Sequence, residues 1–389
     1  MNLSTRKVRV ECLDGVTNTV DVPLFLLRPS MFNSFCQYLT IAERFEYTRV
    51  DGDVLSVEDQ ESFALFISLI SLDHQTILIS ETEEDFEPVL DCPQGIRRRD
   101  FDEFTDVGQG ASGTCYVARM RVSRELFVVK AVNQETESTV KEEIRILTKC
   151  RECSNIVQFI DHWTESNQVM LVFEYMDGGG LDRYSTLPPP VLSVVASSVF
   201  QALRFLAHNR IMHRDVKPAN VLVNSRGDVK LSDMGVSRVL DTNVSRADTV
   251  VGDYLYMSPE KINGISEGYS VKSDLWSLGV LLCEMAVGRH PFLNEEDMDK
   301  DEMDKQKKVY ARSIEGTVED CNIPREHGED FYLLVKKTTV HDPSLRWNLD
   351  ELSLSTYIQR SNTVAKELAG SFFRANLLAP PAGTPFEPF

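Results

Sequence analysis

Positive charge is in short supply in this chain of 389 residues: 41 lysines and arginines face 60 aspartates and glutamates, for a net charge of −19. A nucleic-acid backbone is held by a basic footprint, so nucleic acid is excluded as a general partner. Basic protein surfaces suit such a charge. The opening residues, MNLSTRKVRV, lack the apolar core of a signal peptide. The longest near-apolar run, Phe63 to Leu72, is far too short to span a bilayer, so no membrane insertion is expected. Cysteine is scattered, with eight residues at 12, 36, 92, 115, 150, 153, 283 and 321. Only Cys150 and Cys153 have ligand-like spacing. No second pair or histidine stands nearby, so they read as ordinary thiols after a helix rather than as a zinc site. A reducing compartment, cytoplasmic or also nuclear, follows.

What is present is globular: 42% of residues are hydrophobic and 26% charged. The length suggests a bilobal domain plus a smaller module. Residues 5–82 alternate like a small ββαββαβ unit of β-grasp, ubiquitin-like type. A hairpin turns at Asp14-Gly15, a helix is expected near 29–40, and strands follow at Phe45–Val50 and Val54–Val57. Glu58 to Ile70 carries Phe63, Phe66, Ile67 and Ile70 at helical spacing, and Thr76–Ile79 closes as a fifth strand. Residues 83–100 read as a linker ending in Arg97-Arg98-Arg99, a run either solvated or docking an acidic groove. A larger domain is expected over 101–358, with Asn294 to Lys308 as an acidic surface insertion. The tail, 359–389, has a helical pattern from Thr363 to Asn376 and a proline-rich end.

The chemistry-bearing motifs all fall in 101–358. Val107-Gly108-Gln109-Gly110-Ala111-Ser112-Gly113-Thr114-Cys115 is a glycine-rich loop, whose backbone can approach phosphates without a Cβ clash. Seventeen residues after Gly113, Lys130 sits in an apolar strand pattern and requires a partner, which Glu143 on the next amphipathic helix supplies. That pair would align the lysine on the α and β phosphates. Glu174 and Met176, at the end of an apolar strand and before Gly178-Gly179-Gly180, stand where backbone groups would bond adenine. His213-Arg214-Asp215-Val216-Lys217-Pro218-Ala219-Asn220 puts a carboxylate, a lysine and an amide on one short loop. Asp215 would accept the proton of a substrate hydroxyl, and Lys217 would offset charge on the moving phosphoryl. Asn220, with Asp233 thirteen residues on, would hold magnesium. Ser258-Pro259-Glu260 and Asp274-Leu275-Trp276-Ser277-Leu278-Gly279 resemble protein-kinase elements, which implies Asp274 as the brace of this loop and Arg346 as the ion-pair partner of Glu260.

From 101 to 358 the chain resembles a eukaryotic protein kinase. Through Tyr175–Asp182, His213–Asn220 and Tyr256–Glu260 it is similar to a MAP kinase kinase. The resemblance implies an α+β fold, a bilobal kinase that binds ATP and magnesium. Ser245 and Thr249 have the Ser-x-x-x-Thr spacing of the family's activation sites, where phosphates would order a loop by meeting cations, Arg214 first. Residues 5–82 resemble a Phox/Bem-type interaction domain. Asp51 and Asp53 belong to its acidic cluster, which is either a pairing face or a solvated one, and Lys7 stands where the family's basic-face lysine would sit. Together the two parts resemble the fifth class of MAP kinase kinases. That implies dual-specificity phosphorylation of Thr and Tyr in a downstream MAP kinase, after activation by an upstream MAP kinase kinase kinase recruited through the N-terminal domain.

Several residues depart from the pattern. Met234 replaces the phenylalanine that follows the metal-binding aspartate, Val128 an alanine, and Cys115 a valine. Asp253 replaces a threonine, and its carboxylate could repel Asp215 or pair with Lys217. Asp253 and Val128, with Phe173 where a gatekeeper residue would narrow the back pocket, motivate one alternative: a catalytically weak scaffold that pairs cascade components through its N-terminal domain. A third reading is a kinase outside the MAP kinase cascade.

Overall fold

The computed structural model describes residues 5–11, 17–23, 45–48, 54–57, 63, 66, 77–81, 95–110, 113–133, 137–166, 168–234, 238–239, 253–262, 270–315 and 323–377. The expected helix near 29–40, together with Asp51, Asp53, Ala111, Ser112, Ser245, Thr249 and the proline-rich end, lies outside them. The chain divides into two compact units. One holds the described residues up to Glu152 together with Gln158–Tyr175; the other holds Cys153–Val157 and the described residues from Met176 onward.

The first unit has two sheets. Strands β1 (Thr5–Glu11), β2 (Thr17–Pro23), β3 (Phe45–Thr48), β4 (Val54–Val57) and β5 (Ile77–Glu81) order as β2-β1-β5-β3-β4. The β1–β5 pair is parallel and the other pairs are antiparallel. Val22, Val57, Phe63 and Phe66 are buried, and the two rings, three residues apart on one helical face, stack with centroids 5.7 Å apart.

The second sheet runs β6-β7-β8-β10-β9, antiparallel throughout, from β6 (Phe101–Gly110), β7 (Gly113–Met120), β8 (Leu126–Asn133), β9 (Phe159–Glu165) and β10 (Gln168–Glu174). Aromatic packing builds its core: the Phe101 ring lies 5.6 Å from Phe104, 6.1 Å from Phe127 and 6.0 Å from Trp163. Helix α1 (Glu137–Cys150) buries Val140, Ile144 and Leu147 along one stripe. The end of the expected linker is not simply solvated. The Ile96 N–H donates to Asp161, 2.8 Å away, and Arg98 lies 3.8 Å over the Phe104 ring. Cys150 and Cys153 are buried and joined in no disulfide, and burial pushes the Cys153 thiol above its ordinary range.

In the second unit, helices α2 (Pro189–His208) and α3 (Val271–Val287) form the core. Pro189 opens α2, where its missing N–H costs nothing. This 20-residue helix has the length and apolar content of a bilayer span, a feature masked in the sequence by its serines, glutamine and arginine. Its apolar face, including Val195, Val199, Phe200 and Leu203, is buried inside the unit, so core packing accounts for the composition. Helices α4 (Glu302–Glu315), α5 (Glu329–Thr338) and α6 (Thr363–Ala375) follow. Residues 294–308 are more than a surface insertion. Asp297 is fully buried, bonded to Lys308, 2.6 Å from Arg312 and 3.1 Å from Lys300, and these cations, Lys308 foremost, hold its carboxyl well below the usual range.

Candidate active site

The candidate catalytic residues of the second unit are held by backbone geometry. Short strands β11 (Gly179–Gly180), β13 (Val221–Val223) and β14 (Val229–Leu231) form a small antiparallel sheet, and β12 (Ile211–Met212) leads into the loop that begins at His213. Asp274, in the first turn of α3 and buried, accepts the N–H of His213 at 3.0 Å and of Arg214 at 2.9 Å. Those two bonds hold Arg214 at φ 74, a conformation an arginine rarely adopts unsupported. The His213 ring, fully buried, bonds through Nε2 to the carbonyl of Ser232 at 2.8 Å. Ser232 in turn donates its N–H and hydroxyl to the Asn220 carbonyl, at 2.8 and 3.0 Å. The loop from His213 to Asn220 is therefore tied at both ends.

Asp215 is the node. Its Oδ2 accepts from Asn220 Nδ2 at 2.8 Å and lies 3.2 Å from the Lys217 ammonium. Its Oδ1 accepts the Asp253 N–H at 3.0 Å. Asn220 Nδ2 also donates to the Asp215 carbonyl at 2.8 Å. The carboxylate is therefore fixed in orientation by an amide, a backbone N–H and a cation, an arrangement suited to accepting a proton from a positioned hydroxyl. The Asp253 carboxylate lies 3.7 Å from Lys217, so the lysine is shared between two acids. Its other oxygen accepts the Leu255 N–H at 3.1 Å, which fixes the short turn that follows. Pairing with Lys217 is thus the outcome the geometry shows for Asp253.

Asp233 stands at φ 61, and Met234 beside it is buried. Gly235, which follows, lies outside the described residues. Glu260 is gripped by Arg346 through two bonds of 2.7 and 3.0 Å, with the guanidinium fully buried over the Trp276 ring.

A cavity of about 560 Å³ adjoins Lys217 within this unit, lined in part by Asp182, Asp253, Tyr256 and Glu284. Burial, aided by Asp253, pushes the Glu284 carboxyl up to about 7 even though the Tyr256 hydroxyl donates to it at 2.7 Å. Burial and the neighbouring acids likewise raise the Tyr256 hydroxyl far above its ordinary range. Sequence reading missed this pair, because nothing in a local pattern links residues 28 apart.

The nucleotide-binding candidates of the first unit stand as follows. Val107 is exposed, and Gly108 donates its N–H to Asp106 at 2.9 Å. Gln109 and Gly110 end β6. Gly113, at φ +135, packs so closely that a Cβ there would lie 2.1 Å from the Ala131 carbonyl oxygen. Thr114 and Cys115 are half-buried on β7, with Cys115 opposite Lys130 in register. Lys130 is buried on the central strand, and Glu143 is half-buried on α1. Glu174 ends β10 with its N–H on the Gln158 carbonyl at 3.0 Å. Met176, buried, begins the second unit. Lys7 lies in β1 opposite Asp21.

Residues 101–358 match the protein kinase domain family. The chain is 30% identical over 322 residues to mitogen-activated protein kinase kinase 1 of Arabidopsis thaliana, spanning 79% of this chain and 87% of that protein. It is 34% identical over 232 residues to mitogen-activated protein kinase kinase 2 of the same plant, spanning 57% of this chain and 63% of the relative. A third relative, mitogen-activated protein kinase kinase 1c of Physcomitrium patens, is 34% identical over 236 residues, spanning 57% and 68%. The chain belongs to the protein kinase family and, within it, is an ATP-dependent enzyme of the MAP kinase kinase class.

Proposed function

We propose that the protein is a dual-specificity MAP kinase kinase that transfers the ATP γ-phosphate to Thr and Tyr in a MAP kinase activation loop. The observation that carries this reading is the Asp215 node: a carboxylate held by Asn220 and Asp253, with the Lys217 ammonium 3.2 Å away. In this scheme Asp215 accepts the proton of the substrate hydroxyl as its oxygen bonds the γ-phosphorus and the bond to the β-phosphate breaks. Lys217 lies where it would offset the charge that develops.

The donor set fits magnesium. Asn220 spends its Nδ2 on Asp215, which leaves Oδ1 as the acceptor that would face a hard cation, with the Asp233 carboxylate as second ligand. No group of three or more His, Cys, Asp or Glu suited to a metal occurs among the described residues. Two protein ligands are what magnesium needs when phosphates and water complete its shell. When bound, magnesium neutralises charge on the phosphates.

The same reading extends to the rest of the chain. Residues 5–82 act as a Phox/Bem-like β-grasp module, joined by 83–100 to the kinase domain at 101–358 and the tail at 359–389. Support for the module comes from the strand order β2-β1-β5-β3-β4, with β1 and β5 parallel at its centre. Through Lys7, or through Asp51 and Asp53, that module recruits an upstream kinase, which activates the enzyme by phosphorylating Ser245 and Thr249. A cytoplasmic or nuclear site of action is consistent with these partners.

Phosphate transfer by the Ser245→Asp/Thr249→Asp variant onto catalytically dead MAP kinases tests the proposal, with Asp215→Asn as control and mass spectrometry locating the label. Modification of both Thr and Tyr in one substrate loop is the expected result. Label on Thr alone, or transfer that survives Asp215→Asn, would overturn it.

A further inference from the structure

We propose that helix α6, which follows the kinase-matched region, positions the segment just after Met176 and thereby sets nucleotide affinity. The inference rests on the reading of Met176 as an adenine-binding hinge residue. The family match ends at residue 358, and α6 spans Thr363–Ala375.

The segment after Met176 is fastened to the β13–β14 turn. Both carboxylate oxygens of Asp177 are taken by Ser225, one by its N–H at 2.7 Å and the other by its hydroxyl at 2.6 Å. The Gly178 N–H donates to the Val223 carbonyl at 3.0 Å. Asn224 places its side-chain amide 3.9 Å from the Met176 sulfur. Movement of that turn would therefore move the backbone beside Met176.

The turn is itself seated on α6. Lys366 lies 2.7 Å from Asp228, and Arg374 donates to the Ser225 carbonyl at 3.0 Å. Between these two bonds the backbones touch. Gly227 stands at φ +81, and a Cβ on it would lie 2.3 Å from the Lys366 carbonyl oxygen and 2.8 Å from the Gly370 nitrogen. A Cβ on Gly370 would lie 2.9 Å from the Arg226 carbonyl carbon. Contact this close leaves no room for the helix to slide or the turn to lift.

A second hold lies farther along the same segment. The Tyr184 ring packs 5.4 Å from Phe373 and 6.1 Å from Phe372 on α6, while its hydroxyl donates to the Gly178 carbonyl at 2.9 Å. Helix α6 thus reaches the Asp177–Gly178 backbone by two independent routes, one polar through Ser225 and one aromatic through Tyr184. Asp177, Ser225, Lys366, Gly370 and Arg374 act as positioning residues, since none is required to touch the nucleotide.

Calorimetric titration of magnesium-ADP into the full-length protein tests this. Gly370→Val and Lys366→Ala/Arg374→Ala are expected to raise the ADP Kd about fivefold or more, with a matching rise in KM for ATP. KM for the MAP kinase substrate should stay within about twofold, a split that general destabilisation would not give. Lys366→Arg should retain wild-type affinity. So should Val364→Ser/Leu368→Ser, on the exposed face of the helix. If Gly370→Val fails to fold, Asp177→Ala removes both bonds to Ser225 without entering the helix and should show the same shift. ADP affinity within about twofold of wild type in folded Lys366→Ala/Arg374→Ala and Asp177→Ala proteins would overturn the inference. Absence of ADP binding by the wild type would instead overturn the hinge reading, and the inference with it.

Discussion

The main-chain N–H of Asp253 donates to Asp215 Oδ1 over 3.0 Å, so the carboxylate proposed as the base is oriented by a residue 38 positions away. That bond uses backbone alone and does not depend on which side chain replaces the family threonine. The carboxylate of Asp253 adds a second effect, a share of Lys217 at 3.7 Å. Asp253→Pro removes the N–H and should lower kcat about 10- to 100-fold, the worth of a hydrogen bond to a charged group. Asp253→Asn keeps the N–H, and steady-state kinetics should find its loss several-fold smaller.

Asp274 is a structural acid. It satisfies two buried backbone donors at once, those of His213 and Arg214. Asp274→Ala leaves both without their acceptor and should cost roughly 2–5 kcal/mol in denaturant unfolding. Activity should fall further than stability, because the strained Arg214 backbone precedes Asp215. Asp274→Asn retains one acceptor and should lose about half as much stability.

Arg346 and Glu260 form a buried pair whose halves are unequal to lose. Glu260→Ala strands a guanidinium with no exposed surface and should destabilise by about 3–5 kcal/mol. The double variant Glu260→Leu/Arg346→Met removes both charges and should cost clearly less than the sum of the single losses. A double-mutant cycle on unfolding free energies measures the difference.

The Glu284 carboxyl carries a pH signature. Burial raises it from 4.5 to about 7 in the folded protein, so the native state binds a proton that the unfolded chain releases. Its contribution is therefore fully present below about pH 4.5 and is lost as pH rises to about 7. Unfolding at pH 5 and pH 8 should show wild type losing on the order of 3 kcal/mol relative to Glu284→Gln across that interval. A variant with the same pH slope as wild type would show that Glu284 does not titrate there.

Much of the second unit was legible because its parts are short-range patterns with fixed chemistry. The loop from His213 to Asn220 and the tail helix beginning at Thr363 follow from residue type and spacing, whereas the Glu260–Arg346 pairing, 86 residues apart, comes only from resemblance to kinase motifs. Asp297 was not legible: among alternating acids and lysines, nothing in the sequence says which carboxylate turns inward to collect three cations. Arg98, stacked on Phe104, stands in a run of three arginines that reads as either solvated or docking an acidic groove. The apolar run of α2 was overlooked because helical burial collects residues three and four apart, and Ser193, Ser197 and Ser198 interrupt any linear count.

The sequence by itself determined the chemistry, since transferring a phosphoryl group requires a carboxylate, a lysine, metal donors and a glycine-rich loop in a set order, and that order is written in the chain. Tertiary structure alone decided how those groups are held. Which oxygen of Asp215 meets Asn220, how Lys217 divides between two acids, and how α6 reaches Asp177 through Ser225 depend on contacts between residues 5 to 149 positions apart. Such contacts are selected by packing and burial of the whole unit, and a local pattern carries no record of them.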